Sequence, residues 1–576
     1  MQSTNAPRPS RHAPPHRHVL SHRHATPHAA RRVRSGKTAG LIAALLCAGW
    51  LSPALAEEPM SAIDWLTPSV VPAAMAPGAA PGAENGGMPG QALTPGSGGS
   101  ASHLPPLPGE APVSNGAGVE AIVTSPLGQF DPDRVGLIDA ARSGLPANLW
   151  GQTPERELAA HLRQERVETL PALQALLRNL LLAELDPPLI RAPGAEGSLL
   201  LARVDRLLDM GALDPAYALL IQAGPKDPER FRRLFDIALL LGEENRACAL
   251  MRNTPEIAPA LPTRIFCLAR RGDWSAASLT FGTASSLGQI PEDMQPLLAL
   301  FLDDEMADGA EELSPPPRPT PLAFRLMEAI GQPMPTTNLP VAFAQADLRA
   351  NTGWKSRIEA AERLARMGSV DANQLLGLYT EQDPAASGGV WDRVSAIRAL
   401  DQAISKNDPA AVAKALPVAW DRMAEIGLEA NLGAMFGPAL EKMPLDGKAA
   451  ALAFDLGMLS EDYETIARAH SSSSLREAFL MALARGNTAA VEAPDAVAVA
   501  IKSAFDTPSA PPEAYAAELE DNRLGEALLM AIDDVAEGAR GDTRRLAQGL
   551  QLLRYVGLES TARRAGLEVM VMQARG

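Results

Sequence analysis

The sequence predicts an all-α protein, an α-solenoid of stacked helical hairpins preceded by an export signal and a Pro/Gly/Ala-rich linker. Three observations carry that prediction. Alanine and leucine dominate while aromatic residues make up only 4% of the 576 residues, which favours close helix packing over β-sandwiches. The 50 prolines gather in definite stretches rather than interrupting the chain evenly. Between residues 211 and 284, glycine, alanine and bulky apolar positions recur at a nearly fixed interval, the mark of a repeat array.

The amino terminus reads as a secretory signal. Arg31, Arg32, Arg34 and Lys37 precede an apolar run from Thr38 to Leu51, and Pro53-Ala54-Leu55-Ala56 then places small residues at the two positions a signal peptidase reads before Glu57. The basic residues stay on the cytoplasmic side while the apolar run enters the translocon. The long n-region is accounted for by a start at Val33 in place of Met1. Two other readings stay open. Thr38–Ala56 is just long enough for an uncleaved anchor, although Gly49 and Pro53 weaken it. A lipoprotein using Cys47 needs a small residue before the cysteine, where Leu46 stands. Each reading places the rest of the chain outside the cytoplasm, periplasmic or secreted, with no membrane span once the signal is cleaved.

Charge separates the same two parts. Residues 1–56 hold seven arginines, one lysine and no acid, so beyond them 44 basic residues face 68 acidic ones, a net charge of −24 against −16 for the whole chain. So acidic a surface repels phosphate backbones and anionic membrane faces, and no basic stripe offsets it. Nucleic acid is excluded as a partner.

Residues 57–118 form the linker. Pro-Gly-Ala-Ala-Pro-Gly-Ala at 77–83, Gly96-Ser97-Gly98-Gly99-Ser100 and Pro105-Pro106-Leu107-Pro108 offer nothing that buries a core, and the expectation is disorder. From 119 the pattern turns helical. Glu155–Leu185 carries leucines and alanines at three- and four-residue spacings, with Thr153-Pro154 as cap and first-turn proline and Asp186-Pro187-Pro188 as stop. Looser hairpins follow, such as Ala361–Glu381 and Ala449–Ala469. The breaker Ser314-Pro315-Pro316-Pro317-Arg318-Pro319 divides a first lobe, 119–313, from a second, 322–576.

Within the first lobe, Gly211, Gly242 and Gly272 are each followed five residues later by Ala216, Ala247 and Ala277, then by Leu220, Met251 and Phe281. Glycine permits the tight turn, alanine lets two helices approach, and the larger residue fills the groove against the next hairpin. The best copy, Gly272-Asp273-Trp274-Ser275-Ala276-Ala277 with Phe281 and Ala284, resembles the second half of a tetratricopeptide (TPR) motif, G-D-Y-x-x-A-x-x-x-F-x-x-A. Gly211, Ala216, Leu220 and Ala223 match it in part. In the first half Leu261 and Leu268 fit while Arg264 and Ile265 do not, and Gly557 with Ala562 is a later echo. The resemblance spans 211–284 and implies a fold rather than a ligand.

Cys248 and Cys267 are the cysteines left after processing, in a compartment where disulfides persist. They flank the proline-rich turn Thr254–Pro262 at nearly equal distances, so two antiparallel helices would bring them level. A bridge closing such a loop contributes on the order of 3 kcal/mol.

Candidate chemistry is sparse. Six histidines, His12, His16, His18, His22, His24 and His28, precede the apolar run and leave with the signal. His103 falls in the linker, and His161 and His470 stand alone on predicted helices, as solvated or core-edge residues. No metal and no cofactor site is expected. Asp303-Asp304-Glu305 with Asp308-Gly309 resembles a calcium loop, but counting from Gly309 puts Met306 and Pro315 where oxygen ligands belong. Glu559-Ser560 and Met572-Gln573 resemble motif fragments of periplasmic lytic transglycosylases, yet only 16 residues follow Ser560, too few for a substrate cleft. A Ser-His-Asp set lacks its histidine. The expectation is therefore a non-enzymatic extracytoplasmic scaffold or adaptor holding a protein or peptide partner in an envelope assembly, such as cell-wall machinery, secretion or an accessory of the flagellar motor. The rival is a peptidoglycan-acting hydrolase or its regulator, which a cell-wall digestion assay separates.

Overall fold

Glycine and proline punctuation divides the chain into helices in the computed structural model, which describes residues 65–66, 130–303, 312–506 and 511–572. The expected signal 1–56, the expected linker 57–118 except for two residues, and most of the acidic loop around Gly309 lie outside the described residues, as does Gln573. The first helices are α1 (Ala140–Ser143), α2 (Glu155–Gln164), α3 (Pro171–Leu182), α4 (Ser198–Asp209) and α5 (Leu213–Ala223). Then come α6 (Pro228–Leu241), α7 (Glu244–Asn253), α8 (Leu261–Arg270), α9 (Trp274–Ser286) and α10 (Met294–Leu302). Past the breaker follow α11 (Pro321–Ala329), α12 (Ala344–Asp347), α13 (Trp354–Arg366), α14 (Ala372–Thr380), α15 (Val390–Ser405) and α16 (Pro409–Ala424). Next are α17 (Glu429–Leu440), α18 (Gly447–Met458), α19 (Tyr463–Ala469), α20 (Leu475–Ala484) and α21 (Ala496–Asp506). The chain ends on α22 (Ala516–Glu520), α23 (Leu524–Gly538), α24 (Thr543–Tyr555) and α25 (Glu559–Met572). Among the described residues the strand content is one two-residue parallel pairing, Ile138–Asp139 with Ala183–Glu184.

Sequential helices pack as hairpins: α6 on α7, α8 on α9, α13 on α14, α15 on α16, α17 on α18 and α23 on α24. In the 211–284 stretch, Gly211, Gly242 and Gly272 all adopt left-handed backbone, with φ of 70°, 79° and 84°, and so end α4, α6 and α8 without a Cβ penalty. Ala216, Ala247 and Ala277 are fully buried one turn into the helices that follow, Leu220, Met251 and Ala284 are buried beside them, and Phe281 packs partly covered against the core. Cys248 on α7 and Cys267 on α8 stand at disulfide distance, with Cα atoms 5.3 Å apart across the turn containing Pro255–Ile257.

The expected helix Glu155–Leu185 is two helices. The chain leaves α2 at Glu165 and re-enters at Pro171, the first residue of α3, because a proline interior to one continuous helix would lack an N–H and clash with the preceding turn. Nor does Thr153 cap α2; its side chain is buried, and the Glu155 N–H donates to the Ile190 carbonyl at 3.0 Å.

The described residues belong to one unit, Pro59–Gly576, and share a nearly continuous apolar core. Past the breaker α11 packs back on α6, and the turn at Val341–Phe343 meets α4. At the far end the last helices return to the first, α25 lying against α3, and α23 against α2 and α3. The linker also departs from expectation. Trp65 and Leu66 are buried, at 1% and 4% exposure, where the proline- and glycine-rich composition around them offered no core. The Trp65 indole and the Leu66 side chain supply the apolar area that the residues around them lack.

Candidate functional site

The fold leaves an open cleft of about 520 Å³ between α11, the loop that follows it, and α13. Its floor and walls are built from charge. Glu328 near the end of α11 accepts from Arg349 Nη2 at 3.0 Å and pairs also with Arg325. Arg325 in turn donates to Glu244 on α7 at 3.2 Å, and Arg270 Nη2 lies 3.0 Å from the same carboxylate. The alternating row Arg270, Glu244, Arg325, Glu328, Arg349 thus ties the repeat stretch to the cleft. Burial works against the Glu328 carboxylate, but Arg349 and Arg325 outweigh it and hold its pKa below the ordinary value.

Opposite stands Asp347, which accepts a hydrogen bond from the buried Thr336 hydroxyl. Burial pushes the Asp347 carboxyl up, against the Thr336 bond and the charges of Arg349 and Arg363. Arg363 reaches from α13 to donate to the carbonyls of Thr336 at 2.8 Å and Leu339 at 2.6 Å, fixing the loop as a wall. Desolvation lowers its pKa, helped by Arg366 and opposed by Asp347, without approaching neutrality at physiological pH. Thr337, Asn351 and Ser356 stand exposed at the rim. The interior charges are engaged before any ligand arrives, and the rim offers uncharged donors and acceptors. Such an arrangement suits an extended polar chain, whose amides and carbonyls need partners of that kind.

The residues singled out in the sequence are not in this cleft, but two of them support it from behind. A Cβ on Gly211 would lie 2.6 Å from Leu364 Cδ2 and 2.9 Å from Val341 Cγ1, and the Gly211 carbonyl accepts from Gln345 Nε2 at 2.7 Å. Gly242 sits 3.6 Å, by the same measure, from Arg349 Cδ. Gly211 therefore also admits the segment that forms the cleft, whereas a Cβ on Gly242 would make only ordinary contact with it. Gly272, Ala277 and the cysteine pair lie in the part of the array that does not line it. Sequence reasoning missed Glu328, Thr336, Asp347, Arg349 and Arg363; the proline-bracketed Pro333-Met334-Pro335-Thr336-Thr337 was the one local sign of a shaped loop.

The isolated histidines are edge residues. His161 on α2 is half exposed with Nε2 3.8 Å from Glu526, and His470 stands just past α19, stacked on Phe454 at 4.2 Å and 3.6 Å from Glu477. Glu559 opens α25 as a surface group between Arg554 at 2.7 Å and Arg563 at 3.0 Å. Among the described residues no three His, Cys, Asp or Glu side chains converge as metal ligands, and no helix is long and apolar enough to cross a membrane.

Comparison with protein-family models, with curated proteins and with solved structures returns no match.

Proposed function

We propose that the chain is an extracytoplasmic adaptor, a solenoid of TPR-like hairpins that holds a protein or peptide partner of an envelope assembly and catalyses no reaction itself. The observation supporting this reading is the cleft beside α13. Its charges are neutralised within the protein, its loop wall is pinned by Arg363, and its exposed Thr337, Asn351 and Ser356 are groups that read a peptide backbone. A preorganised surface of this kind binds without the ordering cost that a mobile loop would add. The expected export signal and the acidic body support the reading, since an exported chain would have envelope proteins as its neighbours.

Site-directed photo-crosslinking in cells tests it. A photoreactive residue at Asn351 is expected to give a discrete adduct with one envelope protein, lost on Arg363→Ala, while the same group at exposed Ala490 gives none. Identical adducts from both positions, or none from Asn351, contradict the reading.

A further inference from the structure

Trp65 and Leu66 are the two described residues of the Pro/Gly/Ala-rich stretch, and the next described residue after them is Phe130. Their seat is aromatic. The Trp65 ring meets Phe343 edge-on with centroids 5.4 Å apart, and Phe343 meets Phe324 edge-on at 5.5 Å. The seat is thus the turn Val341–Phe343, backed by Phe324 of α11, outside the glycine-capped hairpins of the first lobe.

The way Trp65 is held differs from the way a tryptophan of the body is held. Trp354 donates its indole N–H to the Leu378 carbonyl at 2.9 Å, whereas the Trp65 N–H, though buried, has no acceptor among the described residues. An unpaired buried donor weakens the burial of its ring. The seat therefore selects by shape and ring-edge contact, with no hydrogen bond to the indole. It is also occupied from a separate stretch of sequence, a long chain away from the helices that form it.

We propose that the surface around Phe343 is a receptor site for a short peptide carrying Trp followed by Leu, filled in the resting chain by Trp65–Leu66 as a displaceable latch. The indole packs edge-on against Phe343, and the adjoining leucine is buried with it. A tethered ligand acts at an effective concentration on the order of millimolar, so the resting latch keeps free peptide at micromolar concentration out. Release of the latch opens the site to the same motif on another molecule. The site needs Phe343, not the charged groups of the neighbouring cleft, and stands whether or not the cleft holds a partner.

Fluorescence anisotropy with the labelled peptide Ser-Ala-Ile-Asp-Trp-Leu, the sequence of residues 61–66, tests this on the full chain. The double variant W65A/L66A is expected to bind it at least about tenfold more tightly than the unmodified chain does. Peptide with alanine for tryptophan is expected not to bind, and adding Phe343→Ala is expected to abolish binding. A protease site placed within Gly96–Ser100 of the otherwise unchanged chain gives a second measurement. After cleavage the amino-terminal piece is expected to leave on dilution while the helical body keeps its circular dichroism and melting temperature. A W65A/L66A chain that fails to fold, or folds and binds no peptide, overturns the proposal, as does a cleaved piece that stays attached through dilution. Trp65 is then a fixed core residue.

Discussion

The hairpin array from α4 to α9 and the junction where α23 and α25 meet α2 and α3 differ in what sets the helix spacing, although a buried ion pair, Arg233 with Asp205 at 2.5 Å, also joins α6 to α4 in the array. In the array, small residues set the spacing. Ala216, Ala247 and Ala277 are fully buried beneath glycine turns, and the groove is filled by aliphatic and aromatic side chains. In the junction, polar groups are taken inside. The Glu568 carboxylate on α25 accepts the Ala172 N–H at 3.0 Å from both oxygens at the start of α3. Arg166 pairs with Glu537, and the backbone bonds Gln152 N–H to Asn522 O at 3.0 Å and Gly525 N–H to Leu149 O at 2.9 Å join segments far apart in sequence. Burial raises the Glu568 pKa to about 7 and, with the nearby Asp533, raises that of Glu165 to about 8. The raised pKa values of Glu568 and Glu165 make the junction respond to pH.

The sharpest way to break that distinction is at Gly525. Its Cα lies so close to Trp150 that a Cβ would stand 2.3 Å from the buried ring. A flat, enclosed ring has nowhere to move, so Gly525→Ala is expected to destabilise the body by about 3 kcal/mol in urea unfolding. Replacing Cys248 and Cys267 together with alanine is expected to cost about 3 kcal/mol; non-reducing peptide mapping of the purified chain is expected to find the pair linked. Ala277→Leu overpacks the array and is expected to cost about 1–3 kcal/mol, loosening the neighbouring pair α6 and α7 in hydrogen exchange, whereas Glu at half-buried Ala276 changes little.

The smallest expected effect is the pH response of Glu568. Its pKa in the folded body, about 7, lies above the ordinary 4.5, so the folded state binds this proton more tightly than the unfolded chain. The stability gained is complete below about pH 4.5 and is lost as the pH rises through 7. Between pH 5 and 7 the wild-type chain is expected to lose at most about 2 kcal/mol more than Glu568→Gln, in paired urea titrations.

The array was largely legible because its information is local. Glycine at a fixed interval, alanine five residues on and a bulky residue after that are set by one hairpin's geometry, and the level placement of Cys248 and Cys267 follows from two adjacent helices. The junction was not legible, because Ala172 with Glu568 and Trp150 with Gly525 are contacts between opposite ends of the chain, and neither partner carries a mark of the other. Nothing around Glu568 in the sequence distinguishes it from a solvated helix glutamate until α3 is placed against it. The cleft fails for the same reason, since Glu328, Asp347 and Arg363 converge only when the loop after α11 is folded onto α13. Pro171 was the local signal that was readable and passed over, and Trp65 the single aromatic residue between Glu57 and Gly118.

Native-state hydrogen exchange on Gly525→Ala tests most directly whether array and junction are separate joints. The expected result is that amides of α2, α3, α23 and α25 exchange about a hundredfold faster than in the wild-type chain, the rate equivalent of the stability lost at Trp150, while those of α6 to α9 keep their protection. Uniform loss of protection from α2 to α25 would contradict this, and the body would then be one cooperative unit in which the buried polar contacts have no separate part.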